Sequence, residues 1–238
     1  MPNLRIAIFS VILMLVLAVA HAFAENAPDE HASDDTTAEG HTYVFADFSS
    51  DDQPSGGNDR WRMVNDNVMG GRSIGNRSFE NGIMTFSGSI NTNGGGFASV
   101  RIPLDPNALM YTPHADADQD SGGKASDHGS QPTPYTRVQL RIKTDGRPYR
   151  LLLNDSTRYQ RRNISHRALL TPTQEAASND EWQTVTISLE DLAPSWRGRA
   201  VPDAPPFDPS KATTLGMTLV EDKDGPFTLQ IDSITILH

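Results

Sequence analysis

Cysteine is missing from this 238-residue chain altogether. Export usually permits disulfides, so without them the fold has to rest on a core alone. Clustered positive charge is scarce as well: 20 Lys and Arg face 30 Asp and Glu, for a formal net charge of −10. The one basic cluster is RYQRRN, residues 158–163, which reads as a loop face open to an acidic partner. That balance excludes nucleic acid, because neutralising phosphates takes clustered Lys and Arg. Helical periodicity is absent too. No segment holds a 3.6-residue apolar period beyond a turn or two, and EDLAPSW (190–196) reaches one helical turn at most. The longest apolar run, Ile6 to Ala20, is shorter than the ~20 residues that cross a bilayer comfortably.

What is present begins with that run. One arginine precedes it and Ala22-Phe23-Ala24 follows it, the pattern of a secretory signal cleaved after Ala24. With no cysteine behind it, lipid anchoring is excluded. The expectation is therefore an exported protein, periplasmic or extracellular, with residues 1–24 as signal peptide and no stable membrane insertion after cleavage. Residues 25–42, ENAPDEHASDDTTAEGHT, lack large apolar side chains and read as a disordered acidic linker. A second such segment, about 105–134, reads as a low-complexity insertion in a domain spanning 43–238.

The remainder reads as strands. YVFADF (43–48), GIMTFSGSI (82–90), FASVRI (97–102), YTRVQLRI (135–142), PYRLLLN (148–154), NISHRALL (163–170), WQTVTISL (182–189), LGMTLV (215–220) and FTLQIDSITIL (227–237) mostly alternate and are bounded by Gly, Pro, Asn or Asp. Many short strands without intervening helices predict an all-β sandwich or barrel.

GRSIG (71–75) fits the Gly-x-Ser-x-Gly pattern of a hydrolase nucleophile. That mechanism needs an apolar strand before the serine and a helix after it. Here NDNVMGG precedes Ser73 and the turn-rich SIGNRSFENG runs on from it, so Ser73 reads as structural. Gly70 and Gly71 permit positive φ or close backbone approach, and Asn65 and Asp66 are suited to bond nearby backbone amides. Trp61 and Met69 suit a sandwich core or its rim.

Five motifs in order, WRMVNDNVMGGRS (61–73), FSGSINTNGGGFASVR (86–101), KTDGRPYRLLL (143–153), WQTVTISLEDLAPSWRGR (182–199) and LGMTLVEDKDGPFTLQIDSI (215–234), closely resemble the complex I intermediate-associated protein 30 family. The likeness runs from about Tyr43 to the C-terminus, interrupted at 105–134. It implies a galactose-binding-like jelly-roll β-sandwich shared with many carbohydrate-binding modules. It also implies a non-enzymatic role without a cofactor: the mitochondrial members assist assembly of respiratory complex I. The family brings no catalytic residues, and sandwiches of this kind often hold a structural calcium whose ligands are unassigned here.

Other constellations read less sharply. NTNGGGFASVR (91–101) lacks the helix start a phosphate cradle needs, so Gly94, Gly95 and Gly96 read as a tight turn between strands. Asp116, Asp118, Asp120 and Asp127 have the spacing of a calcium loop, but Ser121 stands where glycine belongs; His114 and His128 lie beside them. In PSWRGR, Trp196 with Arg197 and Arg199 either forms an aromatic-guanidinium binding surface or caps the core. The candidate ligand or partner surface is Trp61, Asn65, Asp66, Met69, Arg101, Tyr149, Trp196 and Arg197. The structural signature is Gly70, Gly71, Ser73, Gly94, Gly95, Gly96, Phe97 and Gly198. The leading expectation is a non-catalytic binding or assembly module with a protein partner; the alternative is a carbohydrate-binding protein of the cell envelope, with a glycan in its place.

Overall fold

The computed structural model describes residues 41–50, 55–112, 131–171 and 181–238. The expected signal peptide, most of the linker, and the candidate ligands Asp116–Asp127, His114 and His128 lie outside the described residues. Fifteen strands form β1 (Thr42–Ala46), β2 (Arg62–Asn65), β3 (Ile74–Glu80), β4 (Ile83–Ile90), β5 (Phe97–Pro103), β6 (Met110–Tyr111), β7 (Thr133–Pro134), β8 (Arg137–Thr144), β9 (Tyr149–Tyr159), β10 (Arg162–Leu169), β11 (Gln183–Ser188), β12 (Ala193–Trp196), β13 (Arg199–Ala200), β14 (Ala212–Val220) and β15 (Gly225–Leu237). The described residues contain no α-helix, and none long and apolar enough to cross a membrane. The fold is all-β, as the alternation predicts.

One sheet runs β11-β8-β15-β4-β3, with β1 added on β15; the other runs β13-β12-β10-β9-β14-β5-β2. Every pairing is antiparallel. The two inner faces supply one core. Met84, Phe86, Leu140, Ile142, Leu229 and Ile231 from the first sheet meet Val100, Ile102, Leu151, Leu153, Leu215 and Met217 from the second, all fully buried. Strict alternation along β5, β9 and β14 sends one set of side chains inward and leaves the other on an outer face.

Four expectations about the elements need correction. The stretch after Arg72, read as turn, contains β3, an edge strand: it pairs only with β4, so most of its side chains remain part-exposed and polar. APSW, read within a helical turn, is strand β12, and only Leu189–Asp191 before it coil, as a 3-10 turn. The low-complexity segment is narrower than 105–134. Leu109 is fully buried, Met110–Tyr111 pair with Thr133–Pro134, and Tyr135 N donates to Leu109 O at 3.0 Å. The linker likewise ends early: Thr42 is already in β1, and His41 stacks on Tyr111 at 3.8 Å between ring centroids. In both places a few apolar or aromatic side chains within a polar stretch were enough to order it.

Candidate ligand-binding face

The opening motif is a knot around one carboxylate. Asp66 starts a 3-10 turn, Asp66–Met69, between β2 and β3, and is fully buried. Its Oδ1 accepts from Ser73 N at 2.9 Å. Its Oδ2 accepts from Ser73 Oγ at 2.6 Å, Gly96 N at 2.7 Å and Phe97 N at 3.3 Å. Burial by itself pushes the carboxyl's pKa up, yet the Ser73 hydroxyl and the amides of Gly96, Ser73 and Phe97 together hold it below the ordinary carboxylate value. Gly71 and Gly95 belong to the same knot. A Cβ at either would sit 2.3 Å or 2.2 Å from an Asp66 carboxylate atom, so both positions exclude any larger residue. Ser73, 3% exposed, also accepts from Asn91 N at 3.0 Å. Its hydroxyl ties the start of β3 to the β4–β5 turn.

Asp66 is therefore corrected from surface candidate to internal brace. Trp61 and Tyr149 are corrected likewise: both lie in the core, at 0% and 1% exposure. Burial and then Asp145 push the Tyr149 hydroxyl far up, where it donates to Asp145 Oδ2 at 3.1 Å. Asn65 is half-buried and donates from Nδ2 to Gly75 O at 3.4 Å. Gly70 closes the 3-10 turn, and Gly94 begins the turn into Gly95 and Gly96.

Met69, Phe97, Arg101, Arg197 and Gly198 do come together, around a depression of about 220 Å³ on the outer face of the seven-stranded sheet. Leu152, Ser165, Arg167, Ser195, Thr218 and Val220 complete its lining. The register builds its centre: Arg101 on β5 pairs with Gly216 on β14, Gly216 with Leu152 on β9, and Leu152 with Arg167 on β10. Two arginines thus flank an apolar floor. Gly216 supplies the room, since a Cβ there would lie 2.4 Å from Val100 O and 2.9 Å from Arg101 Cγ.

The third guanidinium arrives on a hairpin. Trp196 pairs with Arg199, leaving Arg197-Gly198 as a two-residue turn with φ of 48° and 84°, the geometry that joins twisted strands. Gly198 has open space where a Cβ would go, so its requirement is conformational. Its carbonyl accepts from Arg167 at 3.1 Å. Arg197 lies 4.9 Å from the Trp196 ring centroid and Arg162 lies 4.4 Å from it.

Among the described residues, no carboxylate lines this depression. Arg101 Nε donates to Ser99 Oγ at 2.9 Å, and Arg167 Nε is buried with no hydrogen-bond partner. Neither arginine has an acidic ion-pair partner among the described residues. Burial, and then the Arg167 charge, hold Arg101 below the ordinary arginine range; burial and Arg150 do the same to Arg167. The adjoining groove adds Arg150 with Glu221 and Asp222, and Glu221 is already paired with Arg147 at 2.7 Å. Ser195 Oγ and Thr218 Oγ1 donate to the carbonyls of Ser165 and Ala98, at 2.9 and 3.2 Å. Among the described residues, no three His, Cys, Asp or Glu gather to hold a metal. Arg167 lies in none of the five motifs, while Leu152 and Gly216 lie within two of them with nothing to single them out. Alternation in NISHRALL does put Arg167 opposite the buried His166, the one signal that could have found it.

The chain belongs to the complex I intermediate-associated protein 30 family, whose family model matches residues 46–231. It is 29% identical over 103 residues to the Mus musculus protein "Complex I intermediate-associated protein 30, mitochondrial", covering 43% of this chain. The matched part is only 30% of that mouse protein's length. Among solved structures, it is similar to a family 11 carbohydrate-binding module from Clostridium thermocellum in complex with a mixed-linked tetrasaccharide. The identity there is 14% and the TM-score 0.49, over 82% of this chain and 94% of that one. A family 30 module of a Clostridium thermocellum cellulosomal cellulase is 17% identical with a TM-score of 0.37, over 74% of this chain and 85% of that one.

Proposed function

We propose that this protein is an exported, non-catalytic binding module of assembly-factor type, which holds a protein partner on the outer face of its seven-stranded sheet. The observation that carries the reading is the depression itself, with an apolar floor, guanidinium walls and no carboxylate to neutralise them. Arginine and exposed sulfur or aromatic groups of this kind are enriched where interfaces draw their binding energy. Met69, 55% exposed at the rim, adds an adaptable apolar contact. The Ser195 and Thr218 hydroxyls at the depression are spent on backbone carbonyls, and Ser73 is bound into the Asp66 knot. That supports binding over catalysis. Membership of a family named for an assembly intermediate supports the assembly role, and the charged start, apolar run and Ala22-Phe23-Ala24 support export.

The glycan alternative calls for an aromatic platform open to a sugar ring. Trp196 already has two guanidiniums over it, which favours the protein partner. The test is a cross-linked pull-down from the native envelope with the parent and with Arg101→Met/Arg167→Met, run beside a glycan array. A partner captured by the parent and lost from the double variant is the expected result. Tight binding to neutral glycans with no arginine-dependent protein partner overturns it. N-terminal sequencing should find Glu25 first in exported protein; an intact Met1 on soluble cytoplasmic protein refutes export.

A further inference from the structure

We propose that the depression between β5 and β10 is a receptor for a single carboxylate on a short apolar stem: a Glu or Asp side chain, flanked by apolar residues, on a protein partner. The proposal rests on the reading of this face as the binding surface and specifies what it binds. Arg101 and Arg167 stand on strands three pairings apart, a backbone separation of roughly 14 Å at ordinary strand spacing. Both line the same recess as Leu152, a span that one carboxylate between two guanidinium forks would close.

Charge complementarity chooses the occupant. A protein of net charge −10 has gathered Arg101, Arg167 and Arg197 around one recess with no acid among the described residues that line it. Like charges this close repel, and each buried guanidinium loses hydration, so the arrangement lowers stability until an anion arrives. The unpartnered Arg167 Nε is a donor still waiting for an acceptor. Size and lining narrow the class further. About 220 Å³ is smaller than a drug-sized pocket and suits one side chain. Phe97, Leu152 and Val220 would receive the methylenes and the neighbouring apolar residues of such a segment.

The test uses the full chain, labelled for NMR and titrated with N-acetyl-glutamate amide, its glutamine counterpart, inorganic phosphate and glucuronate. The glutamate probe should shift the amide signals of Arg101, Gly216, Leu152 and Arg167, and bind at least about 10-fold more tightly than the glutamine probe. Arg101→Met should abolish those shifts while its melting temperature stays at or above the parent's; Arg101→Lys should fall between. Equal binding of the glutamine probe overturns the proposal. Phosphate binding as tightly makes this a generic anion site, and tighter glucuronate binding reassigns it to acidic glycans; either result refutes the carboxylate side chain. Self-association that depends on Arg101 refutes a separate partner. If no probe binds while partner capture still needs Arg101, this proposal falls and the binding face stands. If capture survives both arginine substitutions, the binding face itself falls.

Discussion

Two arginine sites in this molecule answer opposite needs. Arg147, 9% exposed, bonds Glu221 from Nε at 2.7 Å and gives its remaining donors to the carbonyls of Gly225, Pro226 and Lys223. It clamps the turn between β14 and β15 to the start of β9. Arg101 and Arg167, on the outer face of the seven-stranded sheet, have between them one hydroxyl and one carbonyl as partners, with a buried Nε unpartnered and no counter-charge among the described residues. The same residue type is a brace where every guanidinium nitrogen is matched and a binding group where it is not. The difference lies in what surrounds each guanidinium.

Breaking the brace should have the largest effect. Arg147→Met strands the nearly buried Glu221 carboxylate and three carbonyls, and should cost about 3–5 kcal/mol in urea unfolding. A loss under 1 kcal/mol would mean that the clamp is ornamental and that the comparison fails.

Asp66→Asn should come next, at about 3 kcal/mol, because an amide group would turn donors toward amides already seeking an acceptor. Asp66 also sets a pH dependence. Its pKa is lowered in the folded state, so its stabilisation is present above the unfolded value of about 3.9 and is lost as pH falls through the folded one. The stability gap between parent and Asp66→Asn should therefore be full at pH 6 and shrink toward pH 3. A gap that is constant with pH would show that the carboxylate's charge is not what holds the knot.

Ser73→Ala removes one donor to Asp66 and the acceptor of the Asn91 amide, and should cost about 1–3 kcal/mol by thermal unfolding. This exceeds the loss of a single exposed hydrogen bond, because Ser73 is buried and both its partners are left unmatched. The smallest effect sharpens the comparison most. Arg101→Met should leave stability unchanged or raise it by less than about 1 kcal/mol, since part-burying a guanidinium without a counter-charge gains the fold little. A fall as large as that of Arg147→Met would make Arg101 a second brace.

Much of this was legible in the chain. The alternating runs marked nine of the strands, and WRMVNDNVMGGRS marked a structural signature in which Ser73 is no nucleophile. Less legible were the strands with polar sequences. β3 is an edge strand and keeps polar side chains, so periodicity hardly distinguishes IGNRSFE from a turn. Trp61 and Tyr149 carried the character of interaction residues and proved to be core, because large aromatics serve both places equally well.

Local sequence by itself determined that the chain is all-β, which residues of each strand share a side, and where turns favour glycine. Those properties depend on backbone sterics and a two-residue repeat, both of which act over a few neighbours. Only tertiary structure decided that Gly71 and Gly95, far apart in the chain, crowd the same Asp66, and that residues 101, 216, 152 and 167 form one row. Alternation says which way a side chain points but not which strand lies beside it. Strand order is chosen by packing two whole faces against each other, so a site laid across four strands takes shape only once the sandwich has closed.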